Sequence, residues 1–382
     1  PHDPLVQESG NITYATINFV VLIEQGLGLV SFRPTFKIPF AVPAVGALAS
    51  VFAMVIINPV FGLFALGLVV AVYIYLQKRH LETPWETVRS GVFVALADWA
   101  ARQAQRISGD NERAWKPDLL VPIDRIEQLQ GEYRLLRAMM KPKGSLQVLR
   151  VQRNGSNSKR EQILLEEIVR DFQREGLYAT SSTIEVDSLT DGVKLGTTVL
   201  LGGLFKPKVL FINALGRTSA ELAELVDMAR QAKMGCALLL LHDEARLGRE
   251  EDVNIWIRDQ SPDWTLGLRL ANLDLSILVG YQVIRNWRGK LRLVSVIREP
   301  ENVDTARRYL HRLAKDARLP GSASIWAEQG AFAEQMLKAP RADLNIFGMG
   351  SSVDLEYLHE MTAKMRSSCL FILDSGSESA LA

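Results

Sequence analysis

Gly348-Met349-Gly350-Ser351-Ser352 is the stretch whose residue types come closest to chemistry. It stands between a strand-like run, Leu344–Phe347, and a helical run, Asp354–Met365. Bare N–H groups at a helix start attract phosphate. Crevices beyond the carboxyl ends of parallel strands are where open α/β sheets bind ligands. Gly348, Gly350, Ser351 and Ser352 are therefore a candidate nucleotide or anion site. Ser351 with Asp354 also reads as a plain helix cap. Gly216-Arg217-Thr218 with Glu221 is the same device earlier in the chain, with one glycine.

Other reactive residue types do not converge. His242-Asp243-Glu244 is an acid-rich strand end with no nearby nucleophile, and reads as a solvated loop. His311 and His359 each follow Tyr-Leu on a helix, and a packing role at matching repeat positions is expected for them. Cys236 and Cys369 are far apart, which excludes a disulfide scaffold and a cysteine-rich metal site. They are expected to be buried packing residues. The chain has no GxxxxGK[ST], HExxH, paired CxxC or EF-hand pattern. The expectation is a protein that is not an enzyme and has no metal and no cofactor. Net charge is +1, and no basic cluster with interleaved aromatics points to nucleic acid.

Two kinds of element surround these residues. Ile38–Gln77 is 40 residues without a charged side chain, with Asn58-Pro59 near its middle. Asn-Pro is a turn and helix-stop signal. The run divides into Ile38–Ile57 and Val60–Gln77, each close to the roughly 20 residues that cross a bilayer as helix. Arg33 and Lys37 precede it, and Lys78, Arg79 and His80 follow it. Both ends of a hairpin lie on one side, and Lys/Arg-rich ends face the cytoplasm. Ile12–Ser31, with Glu24 its only charge, is a further candidate span, and Pro1–Asn11 before it reads as loop. Pro39 and Pro43 suit a first turn. These features predict a multi-pass segment over 1–80 in the bilayer and the rest of the chain in the cytosol. The chain also reads as the end of a longer polytopic protein.

Thr83-Pro84-Trp85-Glu86 is a capping box. It opens an amphipathic connector helix with Val88, Val92, Leu96 and Trp99 on one face. The connector and a polar linker occupy 81–114. From Trp115 strands and helices alternate. Strands are predicted at Asp118–Val121, Leu146–Val151, Ala179–Val186, Val209–Asn213, Ala237–Leu241, Leu266–Leu270, Leu291–Ile297, Ser324–Trp326, Leu344–Phe347 and Leu370–Leu373. Helices are predicted at Gln162–Arg174, Ala220–Lys233, Leu273–Asn286, Val303–Arg318, Phe332–Leu337 and Asp354–Met365. The series repeats. Gly144-Ser-Leu-Gln matches Gly289-Lys-Leu-Arg, Lys206-Pro-Lys-Val matches Arg341-Ala-Asp-Leu, and Lys233-Met-Gly-Cys matches Arg366-Ser-Ser-Cys. The fold class is thus a membrane α-helical segment followed by a duplicated, doubly wound, mostly parallel α/β domain. Its halves are expected at 115–262 and 263–382.

Phe32-Arg33-Pro34-Thr35-Phe36, two close apolar spans, then Pro84-Trp85-Glu86-Thr87 before an amphipathic helix resemble the end of the membrane domain of cation–chloride cotransporters. That family belongs to the amino acid–polyamine–organocation transporter group. The duplicated α/β portion resembles the family's cytosolic domain, itself related in fold to universal stress proteins. The closing stretch Ala342–Ser351 and Arg366–Asp374 resembles the prokaryotic members. The resemblance implies a secondary transporter coupling chloride to potassium and/or sodium, with a cytosolic domain that regulates and dimerises. It assigns no ion-binding residue to this chain, because the ions would be bound by spans upstream. Nucleotide-binding stress proteins carry further glycine beyond the loop, and Tyr357–Lys364 has none, so an ordinary capped turn is favoured over a phosphate loop. An amino-acid permease of the same architecture and a membrane-anchored stress-protein-like sensor are the alternatives.

Overall fold

The computed structural model describes residues 4–27, 39–57, most of 96–103, 115–152, 159–203, 205–261, 264–266, 270, 272–350 and 352–381. The chain forms two compact units, Pro1–Gly109 and Asp110–Ala382.

In the first unit α1 spans Pro4–Leu27 and α2 spans Ala41–Ile57. The start of α1 at Pro4 corrects the expected loop over Pro1–Asn11. Among the described residues no helix is long and apolar enough to cross a membrane. The 17 residues of α2 rise about 25 Å, against about 30 Å of bilayer hydrocarbon. Of the spans expected at 12–31 and 38–57, the described residues form α1 up to Leu27 and the apolar α2 from Ala41, while 28–31 and 38 lie outside the described residues. The span expected at 60–77 and the capping box at Thr83–Glu86 lie outside the described residues. The two helices meet through small residues. Ala15 and Ala47 are buried, and a Cβ on Gly46 would come within 2.9 Å of the Asn18 amide. Their outer faces are apolar: Ile17, Phe19, Val45, Leu48, Phe52 and Ile56 are exposed.

The second unit is one ten-stranded sheet. The first half contains β1 Asp118–Ile123, α3 Ile126–Met140, β2 Ser145–Gln152, α4 Lys159–Arg174, β3 Tyr178–Glu185, α5 Leu189–Leu201, β4 Val209–Asn213, α6 Ser219–Gln231 and β5 Gly235–Leu240. The second half contains β6 Asp252–Ile257, α7 Asp274–Trp287, β7 Lys290–Ile297, α8 Val303–Asp316, β8 Ser324–Gln329, α9 Phe332–Lys338, β9 Leu344–Gly348, α10 Leu355–Met365 and β10 Ser368–Leu373. Strand order is β3-β2-β1-β4-β5-β10-β9-β6-β7-β8. Within each half every pairing is parallel, as the intervening helices require. The halves join antiparallel through β5 and β10. The expected pair of sheets is therefore a single continuous one. The junction strands are Gly-Cys-Ala-Leu-Leu-Leu and Ser-Cys-Leu-Phe-Ile-Leu, apolar on both faces, and each would be an uncovered edge if the halves stood apart.

The strand that opens the second half is Asp252–Ile257, not Leu266–Leu270, which forms no strand among its described residues. It pairs with β7 and β9, so the second half begins upstream of the boundary expected at 262/263. Helices α3 and α5 have no counterpart among the predicted elements. The core lies in two layers. One packs α3, α4, α7 and α8 on one face of the sheet through Leu129, Phe172, Val283 and Leu310. The other packs α5, α6, α9 and α10 on the opposite face through Val193, Leu225, Met336 and Leu358.

Candidate functional site

The glycine-rich stretch follows β9 at the carboxyl edge of the second half. In this strand order the crevice lies between β6 and β9, where the winding reverses. Gly348 ends β9, and Met349 extends it by donating its N–H to Ile372 O at 2.7 Å. The Met349 side chain is buried in the core layer of α10. Asn272, in left-handed backbone (φ 55°), closes the crevice. Its Nδ2 donates to Met349 O at 2.6 Å, and its Oδ1 accepts from Asp374 N at 2.9 Å. A Cβ on Gly348 would lie 3.0 Å from Asn272 O, so this glycine admits the chain's own backbone.

The helix cap differs from the expected one. Asp354 is the N-cap of α10, and its carboxylate accepts from Tyr357 N at 3.2 Å. Ser351, expected to cap with Asp354, lies outside the described residues. Ser352 and Gly350 are exposed, and Gly350 borders open space.

The equivalent crevice of the first half is filled by an ion pair. Gly216 has φ 74° and turns the chain after β4. Arg217 then places both terminal nitrogens on Asp124 at 2.9 and 2.8 Å. Thr218 and Glu221 complete a reciprocal capping box at 3.2 and 2.9 Å, as the sequence pattern implied. Beneath lies Glu132 of α3, fully buried and hydrogen-bonded by Asn213 Nδ2. Burial pushes the Glu132 carboxyl up to about 7, opposed by the Asn213 hydrogen bond and the charge of Arg217.

A third carboxylate occupies the start of α7. Asp374, just past β10, accepts from Asp274 N at 2.9 Å and from Leu275 N at 3.3 Å. Asp274 in turn accepts from Leu270 N at 2.8 Å and Ala380 N at 2.6 Å. Glu378, also buried, accepts from Ser375 N and Gly376 N at 3.0 and 3.1 Å. Burial, then the charges of Glu378 and Asp274, push Asp374 up to about 7. None of Glu132, Asn213, Asp124, Asp374 or Glu378 stood out in the sequence. The one available signal was their place just beyond or between apolar runs, where an acidic side chain needs a partner.

The remaining reactive residues are dispersed. His311 lies on α8, after the second strand of its half, and His359 on α10, after the fourth. They are therefore not at matching repeat positions, and both are exposed rather than packed. His242 Nδ1 accepts from Glu244 N and Ala245 N and shapes a turn. Cys236 and Cys369 are fully buried. Among the described residues no group of three or more His, Cys, Asp or Glu could hold a metal ion.

The sheet thus defines an α/β domain duplicated about an antiparallel junction, with carboxylates of the chain itself at three helix starts. Residues 121–247 match the first part, and residues 248–381 the second part, of the C-terminal domain of prokaryotic cation-chloride cotransporters. The crystal structure of the cytoplasmic domain of a prokaryotic cation chloride cotransporter is similar at TM-score 0.62 and 30% identity. The match covers 70% of this chain and 99% of that one. The chain belongs to the prokaryotic cation-chloride cotransporter family. A universal stress protein from Archaeoglobus fulgidus aligns at TM-score 0.47 and 12% identity, over 69% of this chain and 100% of that one. No curated protein sequence matches.

Proposed function

We propose that the chain is the C-terminal part of a secondary active transporter that couples chloride to potassium and/or sodium. The observation that carries this reading is the family membership, with both parts of the C-terminal domain matched in order. Residues 115–382 would be a cytoplasmic regulatory and dimerisation domain, and the apolar helices before them would sit in the bilayer. Support for the bilayer comes from α1 and α2, which turn small residues to each other and large apolar ones outward. That distribution suits lipid and is unfavourable in water. The basic flanks of the uncharged run support a cytoplasmic C-terminal domain.

Chloride-dependent flux of potassium or sodium into liposomes, measured with the whole transporter, is the test. Flux of an amino acid without chloride dependence would replace this reading with that of a permease of the same architecture. The carboxylates at the α/β crevices argue for structural closure rather than nucleotide binding. ATP is accordingly expected to give no binding heat and no rise in melting temperature. A clear rise that is lost in Gly350→Val would restore Gly348, Gly350 and Ser352 as an anion site.

A further inference from the structure

The geometry points to an anion site away from the glycine-rich crevice, a basic groove at the amino edge of the second half that takes a compact, multiply phosphorylated ligand. The groove encloses about 840 Å³, within the size range of small-molecule sites. Its cationic lining is Arg249 from the β5–β6 loop, Arg341 from the α9–β9 loop, and Lys364 and Arg366 from the end of α10. The helix dipole accounts for cations at the end of α10. It does not account for Arg249 and Arg341, which arrive from two other segments.

Three carboxylates, Glu251, Asp252 and Asp343, line the same groove. Asp343 is fully engaged, accepting from the backbone N–H groups of Arg249, Glu251 and Asp252 at 3.0, 2.9 and 2.9 Å. Asp252 pairs with Arg292 at 2.8 Å. Lys364 pairs with Glu360 at 2.5 Å. Arg249, Arg341 and Arg366 are exposed and have no carboxylate partner among the described residues. Glu251 and Asp343 face them with no cation partner among the described residues. Asp252 and Lys364 are balanced by Arg292 and Glu360, so three guanidinium groups stand against the two carboxylates Glu251 and Asp343 and leave the groove positive.

The backbone that carries these arginines is pinned. Arg292 Nη1 donates to Arg341 O at 3.0 Å, and Asn254 Nδ2 donates to Pro340 O at 2.7 Å. Behind Ser367, the buried Asn345 donates to Ser367 Oγ at 2.5 Å and accepts from Trp256 Nε1 at 2.9 Å. Held bases with free guanidinium heads suit bidentate binding of phosphate oxygens. Among the described residues no aromatic ring lines the groove, so none of them stacks on a nucleobase there. Charge must supply the affinity, and the ligand is a polyphosphate or a phosphorylated headgroup.

The test is calorimetric titration of the intact chain in detergent micelles with inorganic tripolyphosphate. A short-chain phosphatidylinositol bisphosphate is titrated in parallel. Binding of either probe that weakens steeply with added salt is expected. Arg341→Ala and Arg366→Ala are each expected to weaken it about fivefold to tenfold. Arg308→Ala, on α8, is expected to leave it unchanged. Tighter binding of the lipid identifies a membrane headgroup as the source, and equal binding identifies a free polyphosphate. An unfolding midpoint within error of the parent's keeps the variants interpretable, since all three arginines are exposed. No binding of either probe, or undiminished binding in the combined R249A/R341A/R366A variant, overturns the proposal.

Discussion

Leu238 of β5 and Phe371 of β10 face each other across the antiparallel junction. They are also equivalent positions of the two halves, each five residues beyond the matched pair Lys233 and Arg366. The pseudo-twofold axis of the duplicated sheet therefore passes through this one pair. Phe371 stacks on Phe347 at 5.6 Å, and Phe347 on Trp256 at 5.2 Å, so an aromatic row runs from the axis into the second half. Phe371→Ala is expected to destabilise the domain by about 3–5 kcal/mol, because the cavity lies between two halves that cannot close independently. Urea unfolding monitored by tryptophan fluorescence checks it, and a loss under about 1 kcal/mol would mean the junction repacks.

Two glycines at matched positions are held by backbone rather than by a turn. A Cβ on Gly289 would lie 1.6 Å from Glu251 O, and one on Gly144 would lie 2.6 Å from Pro117 O. Main chain cannot give way as a flexible side chain can. Gly289→Ala is expected to lose more than about 3 kcal/mol, or to yield unfolded protein. Gly131→Ala is the control, since it lies in α3 with nothing near its Cβ position. It is expected to gain about 0.5–1 kcal/mol. Thermal denaturation of both variants decides the matter.

One buried and one half-buried carboxyl set the expected pH response of the domain. Asp374 and Glu132 both titrate near 7 in the folded chain, above their ordinary values. A carboxyl raised by folding stabilises the fold at pH values below its unfolded pKa. That stability is lost as pH rises through about 4 to 7. The melting temperature is therefore expected to fall between about pH 4 and about pH 7, opposite to the usual acid lability of salt-bridged proteins. Asp374→Asn keeps a side-chain acceptor at the start of α7 and removes the repulsion from Glu378 and Asp274. It is expected to flatten the fall. A melting temperature that climbs steadily over this range would contradict the assignment.

The two thiols are predicted to be silent. Burial pushes both Cys236 and Cys369 up to about 12, and both are fully enclosed. Across the junction Cys236 pairs with Leu373 and Cys369 with Leu240, so they do not face each other. A thiol-reactive chromophore is expected to label neither in the native chain and both in denaturant. Rapid native labelling would show that the β5–β10 junction opens.

Local pattern in the sequence determined much of this domain. Runs of four to eight residues between helical periods, most of them apolar, mark strands, and eight of the ten strands stand where those runs are, shifted by a residue or two. At β8 the apolar run Ser324–Trp326 marks only the strand's first half. The matched landmarks Gly144/Gly289 and Lys233/Arg366 located the duplication, because each marks the start of an equivalent strand. The capping box Thr218–Glu221 was legible because its bonds lie within one turn. Asp252–Ile257 was not. It carries Asp252 and Asn254, whose partners Arg292 and Pro340 are supplied from far along the chain. Helix α5 hid because it buries Gly192 and Gly196 rather than large apolar residues. Only the tertiary structure decided that β5 and β10 join two halves into one sheet. The same holds for the candidate crevice. Its glycines and helix start are local features, but what fills it is not. Asn272, Asp374 and the Arg217–Asp124 pair come from segments distant in sequence, and which charge occupies a helix start depends on packing that no local pattern encodes.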